Sequence, residues 1–493
     1  MQTDTGRRLA ELGKDFFVYG LMAGLSRLTG FFLLPIFTRA FSVDQYGTID
    51  IVVTLTALLS IVASLSFPSA VQRYFFTLDT DQDRASLVST LVVVAAIFGC
   101  GLLALGILLS RAISNILLGS PEGAIYIVLG FLAAAFTAIS RILQIVLRME
   151  RRIVRFNLLS LFYSLSYAGL ALFFVFGQGT GLIGVFLASV LAAAIQLFVT
   201  ILWTHQFFTT KLSLQKLRRS FRYSLPLLPA VMVHWVNEQS NRLVLLTYLG
   251  LGSVGIFSAG ARLALLIRLP VSIFQQAWGP YGMTVINLPD KERKQFYRQV
   301  LNYYSGLFVC LGLVLVSIAP EAFRLMVPPE YYQGYVVIPW IVGAAILHTS
   351  GSITVFGALI QEKTIANTIA AWSGAIVNVL LTILLIPQFG LGGAAIGMFA
   401  AEFVFTFILW NFTVRWSDLR FDNKAILTTL ICYIVTSGLI LWIAQTVNSP
   451  FISLSLRLAA LMGASLVVLY HCVDRQAVDA IRTMIKRTNA VPV

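Results

Sequence analysis

The feature that most constrains this chain is an apolar run long enough to cross a bilayer, repeated with short breaks almost from end to end. A spanning helix needs roughly 20 mainly apolar residues. Runs of that kind start near Phe16, Tyr46, Leu87, Ala124, Asn157, Leu182 and Tyr223, and again near Val254, Asn302, Val336, Ile365, Gly392, Ala425 and Ser453. Lipid offers no partner to a free amide or carbonyl, so each run must close its own hydrogen bonds as a helix. The expected fold is all-α and polytopic, with about 14 transmembrane helices.

Charge is correspondingly scarce. Only 11% of the 493 residues are charged, against about 25% in soluble domains, and the mean hydropathy is +0.85. The polar segment Met1 to Lys14 leads into an apolar stretch without a small-residue cleavage site, which reads as the first span rather than a removed signal peptide. The four cysteines, Cys100, Cys310, Cys432 and Cys472, lie in or at the ends of apolar spans without metal-ligand spacing, and read as small packing residues.

The net charge of +14 would suit nucleic acid, but its placement points to topology instead. Arg39, Arg111, Arg324 and Arg457 fall on one face, and Arg27, Arg141, Arg242, Arg262 and Arg268 fall inside spans. The other 26 of the 35 basic residues lie in the alternate segments, including Arg148 to Arg155 and Lys216 to Arg222. Basic loops stay cytoplasmic, so both termini are expected inside and the span count even. Loops on both faces are too short to be domains, which places the function within or between helices.

An internal repeat organises the spans. Residues 179–188 match 392–401 when Gly184 is set on Gly397, Glu150-Arg151 matches Glu362-Lys363, and Gln45-Tyr46-Gly47 matches Ser253-Val254-Gly255. Three ordered matches at nearly one offset predict two six-helix lobes of the same orientation around a central pathway, plus two C-terminal helices. The expected division is 1–210, 211–420 and 421–493.

Ionisable groups at bilayer depth are costly and mark function or a buried pair. The five intramembrane arginines face three acids, Asp50, Glu238 and Glu402, with no lysine among them. An arginine excess suits phosphate or carboxylate, which the planar guanidinium grips bidentately. Arg27, Arg242, Arg262 and Arg268 are the candidate contacts to an anionic head group. Arg268, just before Pro270, is also placed to reach the cytoplasmic interface, which makes Arg262 the stronger of the two. His234, Glu238 and Arg242 share one helical stripe, where Glu238 and Arg242 are spaced for an i,i+4 pair. The alternatives are a neutralised structural pair and a titratable site, so Glu238, His234 and Glu402 are the candidates for ion coupling. His348 and Asn378 read as helix–helix hydrogen bonders. Pro35, Pro226, Pro229 and Pro270 are expected to interrupt helices. No Walker loop, paired outer carboxylates or His/Cys cluster occurs, so neither an enzyme, a cofactor nor a metal is expected.

The stretch from Phe17-Val18-Tyr19-Gly20 through Ser26-Arg27 to Pro35, then Tyr46-Gly47 and the turns at Gly184 and Gly397, resembles the polysaccharide-biosynthesis (O-antigen, Wzx-type) flippases of the multidrug/oligosaccharidyl-lipid/polysaccharide exporter superfamily. The resemblance implies a MATE-like bundle in a bacterial cytoplasmic membrane. It implies alternating-access translocation of an undecaprenyl-pyrophosphate-linked oligosaccharide for surface polysaccharide assembly, with proton or sodium as the counter-ion. Ser26, Arg27, Gly30 and Phe31 are also similar to a Ser-Arg-x-x-Gly-Phe stretch of the lipid II flippases, although Leu33 stands where those carry a second arginine. A multidrug or cation antiporter of the same superfamily is the alternative, and a membrane polymerase a more distant one. A cationic cavity argues against the first, and short outer loops against the second.

Overall fold

The computed structural model describes residues 29–472 apart from 287, 364 and 418, and for 153 and 280 the backbone alone. Arg27, the polar N-terminus and the basic tail lie outside the described residues. Among those described there is no strand. The helices are α1 (Thr29–Ala40), α2 (Val43–Ala63), α3 (Phe67–Tyr74), α4 (Asp81–Leu118), α5 (Ala124–Met149), α6 (Ile153–Leu172), α7 (Leu182–Thr204), α8 (Leu214–Ser224) and α9 (Leu228–Ala264). They continue with α10 (Arg268–Val285), α11 (Asp290–Met326), α12 (Ile338–Thr354), α13 (Phe356–Ile360), α14 (Ile365–Phe389), α15 (Leu391–Trp416), α16 (Asn423–Thr446) and α17 (Pro450–Cys472).

Twelve stretches are long and apolar enough to cross a membrane, and one of them, Leu214–Val285, is 72 residues long. Within it the backbone breaks at Gly250 (φ 78°, ψ −179°), a conformation open to glycine because it lacks a Cβ. The break divides this stretch into two crossings, which makes thirteen among the described residues, with the shorter apolar helix α1 beside them. The protein is a multi-pass membrane protein.

Helix starts follow local chemistry. Ala124, Leu182 and Ile365 begin helices where the apolar runs begin. Ser42 caps α2 with a reciprocal box, its hydroxyl accepting from the Gln45 amide while the Gln45 side chain accepts from its own amide. By contrast α11 starts at Asp290, twelve residues before its apolar run. Its 37 residues extend about 56 Å, well beyond the roughly 30 Å hydrocarbon core, so its first charged turns project from the membrane. Pro226 and Pro229 do not kink a span. They sit in the turn Leu225–Leu227 and the first turn of α9, where a missing amide proton costs nothing.

By packing, the chain divides into two compact units, Met1–Arg262 and Leu263–Val493. In the first, α5 packs against α2, α4 and α7, and α6 lies against α7. In the second, α15 packs against α12 and α14, while α16 and α17 pair and rest on α11. Backbone geometry recurs near the segments matched in the sequence, but shifted from that register by one residue at the first turn and by four at the second. There the turns fall at Gly181 and Gly390 and not at Gly184 and Gly397. α5 ends with Arg151 left-handed (φ 57°) and the Arg152 amide donating to Leu147 at 2.9 Å. α13 ends with Glu362 left-handed (φ 55°) and the Lys363 amide donating to Ala358 at 2.9 Å. Both are Schellman terminations, which satisfy an orphan carbonyl of the last turn. Likewise α7 and α15 are entered through Gly181 (φ 61°, ψ −139°) and Gly390 (φ 54°, ψ −130°).

The basic segments of the first unit gather at one end. Lys216 pairs with Asp83 at 2.9 Å, Gln206 donates to Glu150 at 2.9 Å, and Arg219 lies over the Tyr74 ring at 4.4 Å. Beneath them Phe67, Phe75, Val88, Leu143 and Phe207 form one buried cluster.

Candidate functional site

The site begins with two glycines. A Cβ on Gly47 would overlap the Leu251 carbonyl, and one on Gly255 would overlap the Val43 carbonyl. α2 and the second half of α9 therefore cross in backbone contact, the small-residue packing that lipid favours because polar backbone and dispersion contacts must replace the hydrophobic effect. The two segments matched in the repeat, Tyr46-Gly47 and Val254-Gly255, are thus the two that touch.

That crossing sets the contacts made one turn further along each helix. Asp50, 7% exposed, comes three residues after Gly47, and Ser258 three after Gly255. The Ser258 hydroxyl donates to Asp50 Oδ2 at 2.5 Å, and Arg242 Nε donates to the same oxygen. Arg242 Nη1 also donates to the Glu238 carbonyl at 2.9 Å, and its guanidinium lies 5.7 Å from the centre of the Phe257 ring. Deeper along α2, Trp235 Nε1 donates to the Thr54 carbonyl at 3.3 Å. A buried carboxylate is tolerable only when paired and hydrogen-bonded, and Asp50 is both.

Arg262 is different. One turn beyond Ser258, it is half-buried and lies over the Tyr46 ring at 5.2 Å, with Tyr167 and Asp50 close enough to feel its charge. Among the described residues no carboxylate pairs with it. Stacking on an aromatic face holds a guanidinium without using its donors, so the N–H fork stays available to an anion.

The structure therefore unites two of the expected anion contacts, Arg242 and Arg262, against the same face of α2. It gives them different conditions, since Arg242 is neutralised by Asp50 while Arg262 keeps its charge. His234 and Glu238 are exposed on α9, four residues apart. Arg268 is the first residue of α10, half-buried, in the second unit. Glu402 Oε2 on α15 lies 2.9 Å from His348 Nδ1 on α12, and His348 stacks on Phe405 at 5.3 Å. Arg27 lies outside the described residues. Two residues escaped the sequence reading, namely Tyr46 as the platform for Arg262 and Asp50 as the partner of Arg242. The signal for both was present, because they flank the repeated glycine Gly47.

The family of polysaccharide biosynthesis proteins matches residues 12–286, a stretch that contains this whole crossing. The chain belongs to the polysaccharide biosynthesis protein family. A relative in sequence, the Lsg locus putative protein 1 of Haemophilus influenzae, is 21% identical over 356 residues, which span 68% of this chain and 78% of that protein. Among solved structures, the lipid II flippase MurJ in an inward closed conformation superposes with a TM-score of 0.71 at 14% identity, covering 92% of this chain and 98% of its own. An inward-facing multidrug resistance MATE transporter of the MOP superfamily gives 0.65 at 14% identity, covering 81% and 94%. At such identities the likeness is one of fold. Family and fold together agree with the resemblance read from Tyr46-Gly47, Gly184 and Gly397.

Proposed function

We propose that this family member is a flippase that carries a polyprenyl-pyrophosphate-linked oligosaccharide across the cytoplasmic membrane by alternating access. The observation that carries the reading is Arg262, a cation at membrane depth placed on Tyr46 with no acid paired to it among the described residues. A cation in that setting is costly unless an anion visits it. In this reading Arg262 and Arg27 contact the pyrophosphate, Arg242 shapes the site through Asp50, and Arg268 is a further contact for the head group. Glu238, His234 and Glu402 are the groups available to exchange a proton or bind sodium during the return step. Both termini lie in the cytoplasm, in keeping with the basic segments gathered at one end.

The test is complementation of a deletion strain, with surface polysaccharide, lipid-linked intermediate and membrane level of the protein measured together. Arg262→Ala is expected to accumulate intermediate and lose surface polymer at a normal membrane level, with Arg262→Lys retaining part of the activity. Full surface polymer from Arg262→Ala would remove the reading. Sensitisation to cationic drugs instead of polymer loss would favour an antiporter.

A further inference from the structure

A second polar group in the first unit stands apart from the Asp50–Arg242–Arg262 cluster. Arg141 lies eight residues before the end of α5 at Met149, about 12 Å along the axis, and has no ion pair among the described residues. It opens into a cavity of about 300 Å³ lined also by Ser64, Ser66, Ser69 and Gln144. One water needs only about 15 Å³ by the same measure, so there is room for a polyatomic ligand.

Apolar side chains such as Ile61, Ile145 and Phe156 make up much of the wall, and the polar groups among them are donors. The residue Ser66 is only 4% exposed, and its hydroxyl has no hydrogen-bond partner among the described residues. Ser64 differs, donating to the Ile61 carbonyl at 2.8 Å. Ser66 is held in place by consecutive left-handed residues, Leu65 (φ 50°) and Ser66 (φ 53°), which turn α2 into α3. None of the residues lining the cavity is acidic. An arginine fork, a buried hydroxyl left unmatched and a carboxamide together suit an anion with several oxygens, and a phosphate meets that description better than a carboxylate.

Its place in the unit adds a direction. Ile142 and Leu143, next to Arg141, belong to the buried cluster against which Leu217 and Phe221 of the basic helix α8 pack. The cavity is thus at the end where the basic segments gather. Ser64 lies 18 residues beyond Tyr46 along α2 and its cap, about 27 Å, so Arg262 is at the far end.

We propose that the Arg141–Ser66 cavity is a second anion site, which receives a phosphate or pyrophosphate group at the basic end of the first unit before that group reaches Arg262. Arg141 supplies the charge and a bidentate grip, Ser66 donates its hydroxyl, and Gln144 adds an amide donor. The order of the two stations rests on the flippase reading, whereas the existence of the cavity site does not.

The test is calorimetric titration of the full-length chain in lipid nanodiscs with inorganic pyrophosphate and, separately, with farnesyl pyrophosphate. Two binding events are expected. Arg141→Ala should weaken one of them by at least about ten-fold and Ser66→Ala by a smaller factor, while Arg262→Ala weakens the other. Should Arg141→Ala fail to fold, Ser66→Ala and Gln144→Leu carry the same test. Equal affinity for the two probes would mark a site for free diphosphate, and tighter farnesyl binding a site for a lipid head group; either sustains the proposal. A single event untouched by the Arg141, Ser66 and Gln144 variants but lost in Arg262→Ala would overturn this site and leave the flippase reading standing. Binding unchanged by all of these variants would overturn both.

Discussion

Arginines within the apolar helices are held in two opposite ways, Arg457 of the second unit against Arg262 and Arg141 of the first. In the second unit Arg457 of α17 is fully buried, and every arm of its guanidinium is engaged. Nε donates to the Ser453 carbonyl at 3.1 Å, Nη1 to the Ser317 carbonyl of α11 at 2.8 Å, and Nη2 to Glu321. In the first unit Arg262 rests on a tyrosine ring and Arg141 opens into a cavity with serines and a glutamine in its wall. A saturated arginine ties two helices together, whereas an unsaturated one is held for a ligand. The difference lies in the partners, since the residue type is shared.

Variants should separate these roles. Arg457→Ala is expected to have the largest effect on stability, about 3–5 kcal/mol, because it leaves Glu321 without its cation. Thermal melting in detergent measures this, and an Arg457→Leu, Glu321→Leu double variant should recover most of the loss. Asp50→Asn comes next and should cost on the order of 2 kcal/mol, since Arg242 loses its charged acceptor while the Asn carbonyl still accepts. Gly47→Val should cost about 1–3 kcal/mol through overpacking and should abolish transport as well, because it forces apart the crossing that brings Tyr46 to Arg262. Chemical crosslinking between cysteines placed on α2 and α9 would show the separation.

A smaller effect is expected outside the spans. Asp422 caps α16, and its carboxyl is held below the usual carboxylate range, first by the Ala425 amide and then by Arg298 at 2.9 Å. A depressed value in the folded state means that its contribution is present above the unfolded value and is lost as pH falls through the folded one. Asp422→Ala should therefore lower stability by about 0.5–2 kcal/mol at neutral pH, and by progressively less as pH falls below the usual carboxylate range. Melting curves across that range would check the sign. The smallest change in stability belongs to Arg262→Ala, under about 1 kcal/mol from the lost ring contact, even though its transport defect should be the most complete. A large stability loss there would break the contrast with Arg457.

Much of the fold was legible along the chain. Hydropathy located the starts of α5, α7 and α14, and missed that of α11 because charged turns standing in water carry no apolar signal. Weak repeats around Gly184 and Gly397 and around Glu150 and Glu362 lay close to turns of similar geometry in the two units but missed their register by one to four residues. The break in α9 falls at Gly250 rather than at a proline, since prolines at a helix start leave its hydrogen bonding intact. The candidate site was only half legible. Arg242 and Arg262 stood out by charge, but spacing alone suggested Glu238 as the partner that Asp50, 192 residues away, provides.

By itself the sequence determined that this chain is a helical membrane protein with basic segments on one side and a cationic excess within. Those properties are local, being set by the transfer cost of each segment and by which loops carry charge. Only the tertiary structure decided which arginines are spent on pairing and which are kept. That choice depends on distant helices meeting at contacts as small as Gly47 against Leu251, and no property of either segment alone encodes it.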